Sequence, residues 1–419
     1  MTIYSIKNLI KLAREKSDYY RELYTKIPQN DFSLKDVPLV SSEKFWQANT
    51  LNDNRLLTGP ISSGIVFKSG GTTGLPKFSV FLKEEWETFT KCFGEGFISA
   101  GFENGDKVAN LFYAGELYAS FLFITKSMEQ SSLDLIHYPL SGAAKFESII
   151  DTIQSHRINV LAGVPTTIIQ LAHDLMSKPN VAKLITKIFY GGESLFGDQR
   201  IILAAAFPNA KIISSIGYAS VDGGHLGFAI RDGAHGEHGV FKTSSVIEII
   251  DDETDAPITK PGVQGRLIYT NLTRSLMPII RYPVGDEAVW TIPGERFIIK
   301  GRTEEGLRLG PVTITTEEIR KILNECLGDQ VMAFQSIIER DASTLDRLTL
   351  KIALTTHPSS ALSQTVEKHI LEARPMLKES IQKKLVAPLQ VQFIKIDELE
   401  KNPRTGKLRL VIDRRFNYD

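Results

Sequence analysis

Between about residues 60 and 220, short apolar runs alternate with longer stretches of helical periodicity, and this alternation constrains the fold more than any other property of the chain. VANLFY (108–113), INVLAGV (158–164), ITKIFYGG (185–192) and AKIISSIGY (210–218) read as strands. FESIIDTIQSHR and TTIIQLAHDLMS read as helices between them. Strands that are apolar throughout, rather than at every second residue, need cover on both faces. The expectation is an α/β sheet of buried, largely parallel strands.

The pattern changes after residue 222, where glycine-rich turns separate shorter β segments: GVFKTSSVIEII, QGRLIYTNL and ERFIIKGR. It changes again after Gly301. There a helix (TTEEIRKILNECL), a strand (RLTLKIALTT), a long helix (SSALSQTVEKHILEARPML) and another strand (LQVQFIKI) follow one another. The expected organisation is a large N-terminal α/β domain with a β-rich subregion over residues 1–300. A small C-terminal α+β domain over 301–419, large enough to fold alone, completes the chain.

The balance of charge narrows the partners. Forty-nine Lys and Arg face 49 Asp and Glu, so no electrostatic case exists for nucleic acid or an anionic membrane as the main partner. Two cysteines, Cys92 and Cys326, allow neither a disulfide framework nor a multi-cysteine metal site. The opening residues place Ile3, Ile6, Ile10 and Ala13 at helical spacing, and Lys7 and Lys11 interrupt the apolar core that a secretory leader needs. The apolar stretch at 201–207 is far too short to span a bilayer. These features lead to the expectation of a cytoplasmic protein with an amphipathic first helix; oligomeric state is not encoded legibly.

The segment richest in chemistry is Ser69-Gly70-Gly71-Thr72-Thr73-Gly74-Leu75-Pro76-Lys77, directly after the apolar VFK. Three glycines let the backbone turn tightly and bring its N–H groups against an anion. Hydroxyls and Lys77 add donors and positive charge, so a polyphosphate is the natural guest. Neither GxxxxGK[ST] nor GxGxxG is present, which argues against a P-loop or a Rossmann cofactor site. The DGAHGEHG cluster with His235, Glu237 and His238 matches no standard zinc spacing. Phe112, Tyr113, Tyr118, Phe121 and Phe123 form an aromatic run whose ordinary place is the core.

The glycine-rich segment resembles the phosphate-binding signature of the adenylate-forming superfamily, which comprises acyl- and aryl-CoA ligases, carrier-protein adenylation domains and luciferases. Further motifs follow in order. Tyr190-Gly191-Gly192-Glu193 resembles the turn that packs against adenine. Tyr218-Ala219-Ser220-Val221-Asp222-Gly223-Gly224 resembles the aromatic–glycine–hydroxyl–acid motif, whose acid helps hold Mg²⁺. Arg281-Tyr282-Pro283-Val284-Gly285-Asp286 resembles the segment whose aspartate holds the ribose hydroxyls. Gly301-Arg302-Thr303-Glu304-Glu305 resembles the hinge motif, and Asn402-Pro403-Arg404-Thr405-Gly406-Lys407 the motif of the catalytic lysine. Within the superfamily the likeness is to the phenylacetate–CoA ligase branch, on the length, MPIIRYPVGD (277–286) and the short C-terminal domain.

The resemblance implies an AMP-forming ligase. It would activate a small-molecule carboxylic acid, expected to be an aryl acid, with ATP and Mg²⁺, then pass the acyl group to coenzyme A. Ser69, Gly70, Gly71, Thr72, Thr73, Gly74, Lys77, Gly191, Gly192, Glu193, Tyr218, Asp286 and Arg302 would bind the nucleotide, and Asp222 the metal. Lys407, Arg302 and Asp222 would be catalytic, with Glu304 the pivot of a mobile C-terminal domain. Val221 replaces a hydroxyl residue, Asp222 a glutamate, and Pro311 a glycine that falls one position early at Gly310. These departures keep two alternatives open: transfer to a carrier protein, reductase or amine without coenzyme A, and a degenerate nucleotide-binding scaffold.

Overall fold

The apolar runs do form a parallel sheet. β3 (Lys107–Leu111), β4 (Ile136–Tyr138), β5 (Val160–Gly163), β6 (Lys187–Tyr190) and β7 (Ile212–Ser215) assemble in the order β4-β3-β5-β6-β7. Every neighbouring pair among them is parallel. Helices Phe146–His156 and Pro165–Leu175 bury Ile149, Ile153, Ile168, Leu171 and Leu175 in one core with Leu111, Leu161 and Ile188. Val108, Val160, Ala162 and Phe189 enter a second core with Phe93, Phe97 and Phe123. Cover on both sides is what fully apolar strands require.

In this computed structural model the chain is described except for residues 1, 51, 69–77, 116, 119, 193–194, 196, 235, 303–306, 355–357, 359–361, 396–397, 401–409 and 417–419, and the side chains of 166, 197–198, 301–302, 317, 329, 332 and 416. It divides into two compact units, one built within residues 1–300 and the other mainly from Gly301–Asp419. Among the described residues no helix is long and apolar enough to cross a membrane.

In the first unit, β1 (Ile65–Lys68) and β2 (Phe78–Phe81) pair antiparallel on either side of the glycine-rich segment. A seven-stranded sheet runs β11-β12-β13-β14-β10-β9-β8. Its strands are β8 (Tyr218–Ser220), β9 (Gly224–Ala229), β10 (Glu237–Gly239), β11 (Ser245–Ile250), β12 (Gln264–Asn271), β13 (Tyr282–Ile292) and β14 (Arg296–Arg302). The run AKIISSIGY, expected as one strand, is divided between two sheets. Gly217 takes φ +135°, a left-handed backbone open to glycine, and the chain leaves the parallel sheet at Ser215 to enter the other at Tyr218. The first helix, Ile6–Lys16, buries Leu9, Ile10 and Ala13 against this second sheet's core.

The second unit holds the hairpin β15 (Leu307–Leu309) and β16 (Val312–Ile314), and a sheet ordered β19-β18-β17-β20. These strands are β17 (Val331–Arg340), β18 (Asp346–Leu354), β19 (Gln390–Phe393) and β20 (Val411–Asp413). Gly310 turns the hairpin at φ +52°, which explains the glycine standing one place before Pro311. Helix Thr316–Leu327 starts with a capping box between Thr315 and Glu318. The long helix expected over 359–377 is a helix Leu362–Ala373 followed by a second, Pro375–Gln382. Arg374 lies between them in a non-helical conformation, because the proline ring after it disfavours the α region.

Candidate functional site

In an open parallel sheet, ligands bind beyond the carboxyl ends of the strands, at the point where the strand order reverses. Here the chain runs outward in opposite directions from β3 and β5. At that end the Tyr113 hydroxyl lies 2.7 Å from the Thr167 hydroxyl and donates to the Gly142 carbonyl at 3.2 Å. Gly191 and Gly192 follow β6 at the same end, Gly192 with φ +79°. A Cβ on Gly191 would come within 2.9 Å of Ile216, so the turn admits no side chain there without movement. Of the aromatic run, Phe112 and Phe123 are buried, whereas Tyr118 is exposed.

Two crosslinks then join the segment 218–224 to the start of β13. The Tyr218 hydroxyl donates to Asp286 Oδ2, and the Tyr282 hydroxyl donates to Asp222 Oδ2 at 2.9 Å. Trp46 Nε1–H in turn donates to the Tyr282 oxygen at 2.9 Å, which directs the tyrosine proton toward the carboxylate. Burial, together with the Asp222 charge beside it, raises the Tyr282 phenol well above its usual value, so it stays a donor. Asp286 is nearly buried. The Tyr218 ring rests on His238 and Phe297, at 5.8 and 6.3 Å between ring centres.

The turn after β8 is held from inside. Gly223 N–H donates to Ser220 Oγ (2.9 Å) and to Asp222 Oδ1 (3.1 Å). Arg274 donates to the Asp222 carbonyl, and Asn271 Nδ2 to the Gly223 carbonyl at 2.7 Å. Each Asp222 carboxylate oxygen therefore accepts one protein hydrogen bond, which leaves lone pairs for a hard cation carried in with a polyphosphate. Val221 packs against the apolar core instead of offering a hydroxyl.

Among the sequence candidates, Gly191, Gly192, Tyr218, Asp222 and Asp286 all lie in the first unit; Tyr218 bonds Asp286 directly, and Asp222 bonds Tyr282, which lies on β13 with Asp286. Ser69, Gly70, Gly71, Thr72, Thr73, Gly74, Lys77, Glu193, Glu304 and Lys407 lie outside the described residues, as does the side chain of Arg302 at the end of β14. His238 serves as a packed ring against Tyr218, and Glu237 accepts from Ala234 N–H at 3.1 Å and from the Thr291 hydroxyl. His235 lies outside the described residues, among which no group of three His, Cys, Asp or Glu could hold a metal. The sequence reading assigned no role to Tyr282, Trp46, Arg274 or Asn271. A signal existed for one of them: Arg274 is a charge set within NLTRSLMPII.

No family model matches the chain. Over 444 aligned residues it is 24% identical to a phenylacetate–coenzyme A ligase of Thermus thermophilus, covering 98% of this chain and 95% of that one. An indoleacetate–lysine synthetase of Pseudomonas savastanoi is 31% identical over 192 residues, covering 44% of this chain and 45% of its own. Among solved structures, 2-hydroxyisobutyryl-CoA ligase in complex with 2-HIB-AMP and CoA superposes with a TM-score of 0.72 at 19% identity, covering 97% of this chain and 87% of that one. The chain thus has the fold of the adenylate-forming enzymes. Within that class its sequence is similar to the phenylacetate–CoA ligases along nearly its whole length.

Proposed function

We propose that this chain is an AMP-forming acid–thiol ligase acting on a small carboxylic acid, with an aryl acid as the favoured substrate class. A carboxylate oxygen attacks the α-phosphorus of MgATP and pyrophosphate leaves; the thiol of coenzyme A then attacks the acyl carbon and AMP leaves. The observation that carries this reading is the paired crosslink, Tyr218 to Asp286 and Tyr282 to Asp222. It supports a reading in which Asp286 accepts ribose hydroxyls and Asp222 holds the magnesium that accompanies the phosphates. Such a site works by positioning and charge neutralisation, so it needs no nucleophile–base pair.

In this reading Ser69 to Gly74 and Lys77 cradle the phosphates, and Gly191, Gly192 and Glu193 border the adenine. Arg302 contacts ribose or phosphate. Lys407 neutralises charge during adenylation, and Glu304 is the pivot between half-reactions. MgATP and coenzyme A as substrates, with two cysteines read as reduced, favour a cytoplasmic location.

The test is pyrophosphate release from MgATP with a panel of aryl and alkyl acids, followed by addition of coenzyme A and mass detection of the thioester. Acid-dependent pyrophosphate with a thioester is expected; no pyrophosphate with any acid would leave only a nucleotide-binding scaffold. A second reading, transfer to an amine, is favoured by the likeness to indoleacetate–lysine synthetase. Lysine added in place of coenzyme A would then yield the amide. A carrier-protein acceptor would show as acyl transfer to a phosphopantetheinylated protein alone.

A further inference from the structure

Arg274 heads the fully buried side chains by size among the described residues. A buried guanidinium is costly unless its donors are met, and the usual remedy is a carboxylate. This one instead donates from its two terminal nitrogens to carbonyls of separate elements, Asp222 in the turn after β8 and Val80 on β2 at 2.7 Å, while Nε is buried without a partner among the described residues. The guanidinium carbon lies over the Phe81 ring, 4.0 Å from its centre. Asn271, also buried, takes the next carbonyl of the same turn, that of Gly223. Two successive carbonyl oxygens of the turn are thereby taken up by buried side chains.

A reciprocal contact fastens the same place. Glu85 stands in the first turn of helix Lys83–Glu95, which directly follows β2. Its carboxylate accepts from Ser275 N–H (2.7 Å), Ser275 Oγ (2.9 Å) and Leu276 N–H (2.9 Å). Segment 274–276 therefore gives hydrogen bonds to β2 and to the helix behind it. β2 follows the glycine-rich segment 69–77 in the chain, and one guanidinium joins this strand to the turn bearing Asp222. A rigid fork of donors can do this; an ammonium on a flexible stem can satisfy one carbonyl well but not both.

We propose that Arg274 is a positioning residue of the nucleotide site, setting the Asp222 turn against the strand that carries the phosphate-binding segment. The inference rests on the nucleotide reading above. It assigns Arg274 to the phosphate end of the ligand, whereas Asp286 and Tyr218 serve the nucleoside end.

The test compares the affinities of MgATP and adenosine for the full-length wild type and Arg274→Lys, by calorimetry or competition. Arg274→Lys should bind MgATP at least tenfold more weakly while its adenosine affinity stays within twofold. A general folding role would move both ligands together, and that result, or no change in either, overturns the proposal. Should Arg274→Lys fail to fold, Asn271→Ser releases the Gly223 carbonyl, together with the Thr273 N–H and hydroxyl that Asn271 Oδ1 accepts from, and leaves the buried charge in place. It should show the same split at about threefold, and an unchanged MgATP affinity in that variant overturns the proposal. A wild type that binds neither ligand overturns the nucleotide reading, and this inference with it.

Discussion

The five-stranded and the seven-stranded sheets of the first unit each have a buried cation beside them, Lys187 and Arg274, and the two are used differently. At the amino ends of the parallel strands, Lys187 on β6 pairs with Asp106 at 2.8 Å and with Glu103 at 2.9 Å. Asn159 Nδ2 donates to the other Asp106 oxygen at 2.9 Å, which closes the cluster on itself. This is the end of the sheet opposite Gly191 and Gly192. Arg274, on the segment after β12, meets carbonyls rather than carboxylates, and one of those carbonyls belongs to a site turn. A cation matched by a carboxylate supports the fold wherever it lies. A cation spent on the carbonyls of two loop-bearing elements sets their geometry.

The comparison breaks most visibly at Lys187. Lys187→Met leaves Asp106 buried without its cation, a change that typically costs about 3–5 kcal/mol. Urea denaturation should show that loss while the folded protein keeps its MgATP affinity; a parallel loss of affinity would erase the distinction between the two cations. Next in size is Lys407→Ala: in the role proposed for it the lysine is a preorganised counter-charge, and losing one costs about 2.7–4 kcal/mol, or 10²–10³ in rate. Pyrophosphate release should collapse, and thioester formation from a synthetic acyl-adenylate should persist. Equal loss of both steps would reassign the lysine to folding.

Asp286→Ala sharpens the contrast with Arg274. Loss of a charge-assisted partner costs about 1.5–3 kcal/mol, and here adenosine and MgATP should weaken alike. Calorimetry that finds adenosine binding intact would count against the ribose assignment.

A last effect, spread over several pH units, concerns His238, whose ring backs Tyr218. Burial lowers its pKa from 6.5 to about 4. Between those values the unfolded chain binds a proton that the folded chain excludes. Stability is therefore full above pH 6.5 and declines as the pH falls toward 4, by up to about 1.4 kcal/mol per pH unit for this group. Burial pushes His225 down to about 3, adding a second slope in the same direction. Denaturation of His238→Phe across pH 4–7 should show a slope shallower by about one proton; an unchanged slope would mean the ring is not the titrating group.

The parallel sheet was legible because fully apolar runs leave few other solutions. The partition of 210–218 was not, since IISS and YAS carry the same local preference and only tertiary pairing assigns them to different sheets. Pro375 did mark a helix boundary in the sequence, through the restriction it places on Arg374. At the site, Tyr218 and Asp286 could be found from motif order. Tyr282 and Asp222 are 60 residues apart, Arg274 and Asp222 52, and Ser275 and Glu85 190. No pattern within one segment reports contacts at such separations, so the supports of the site became visible only in three dimensions.

The passage from Ser215 to Tyr218 fixes how the chain can change in length. Two residues, Ile216 and Gly217, splice one sheet to the other, and a Cβ at Gly217 would come within 2.7 Å of the Phe93 ring. Side chains alternate along a strand, so one inserted residue at the splice would turn the Tyr218 hydroxyl to the opposite face and away from Asp286. Insertions and deletions should therefore be rejected at 216–217, yet tolerated in the exposed turn around residues 252–255, which no site residue depends on. The chain's tolerance of length variation is thus set by a two-residue gauge between its sheets.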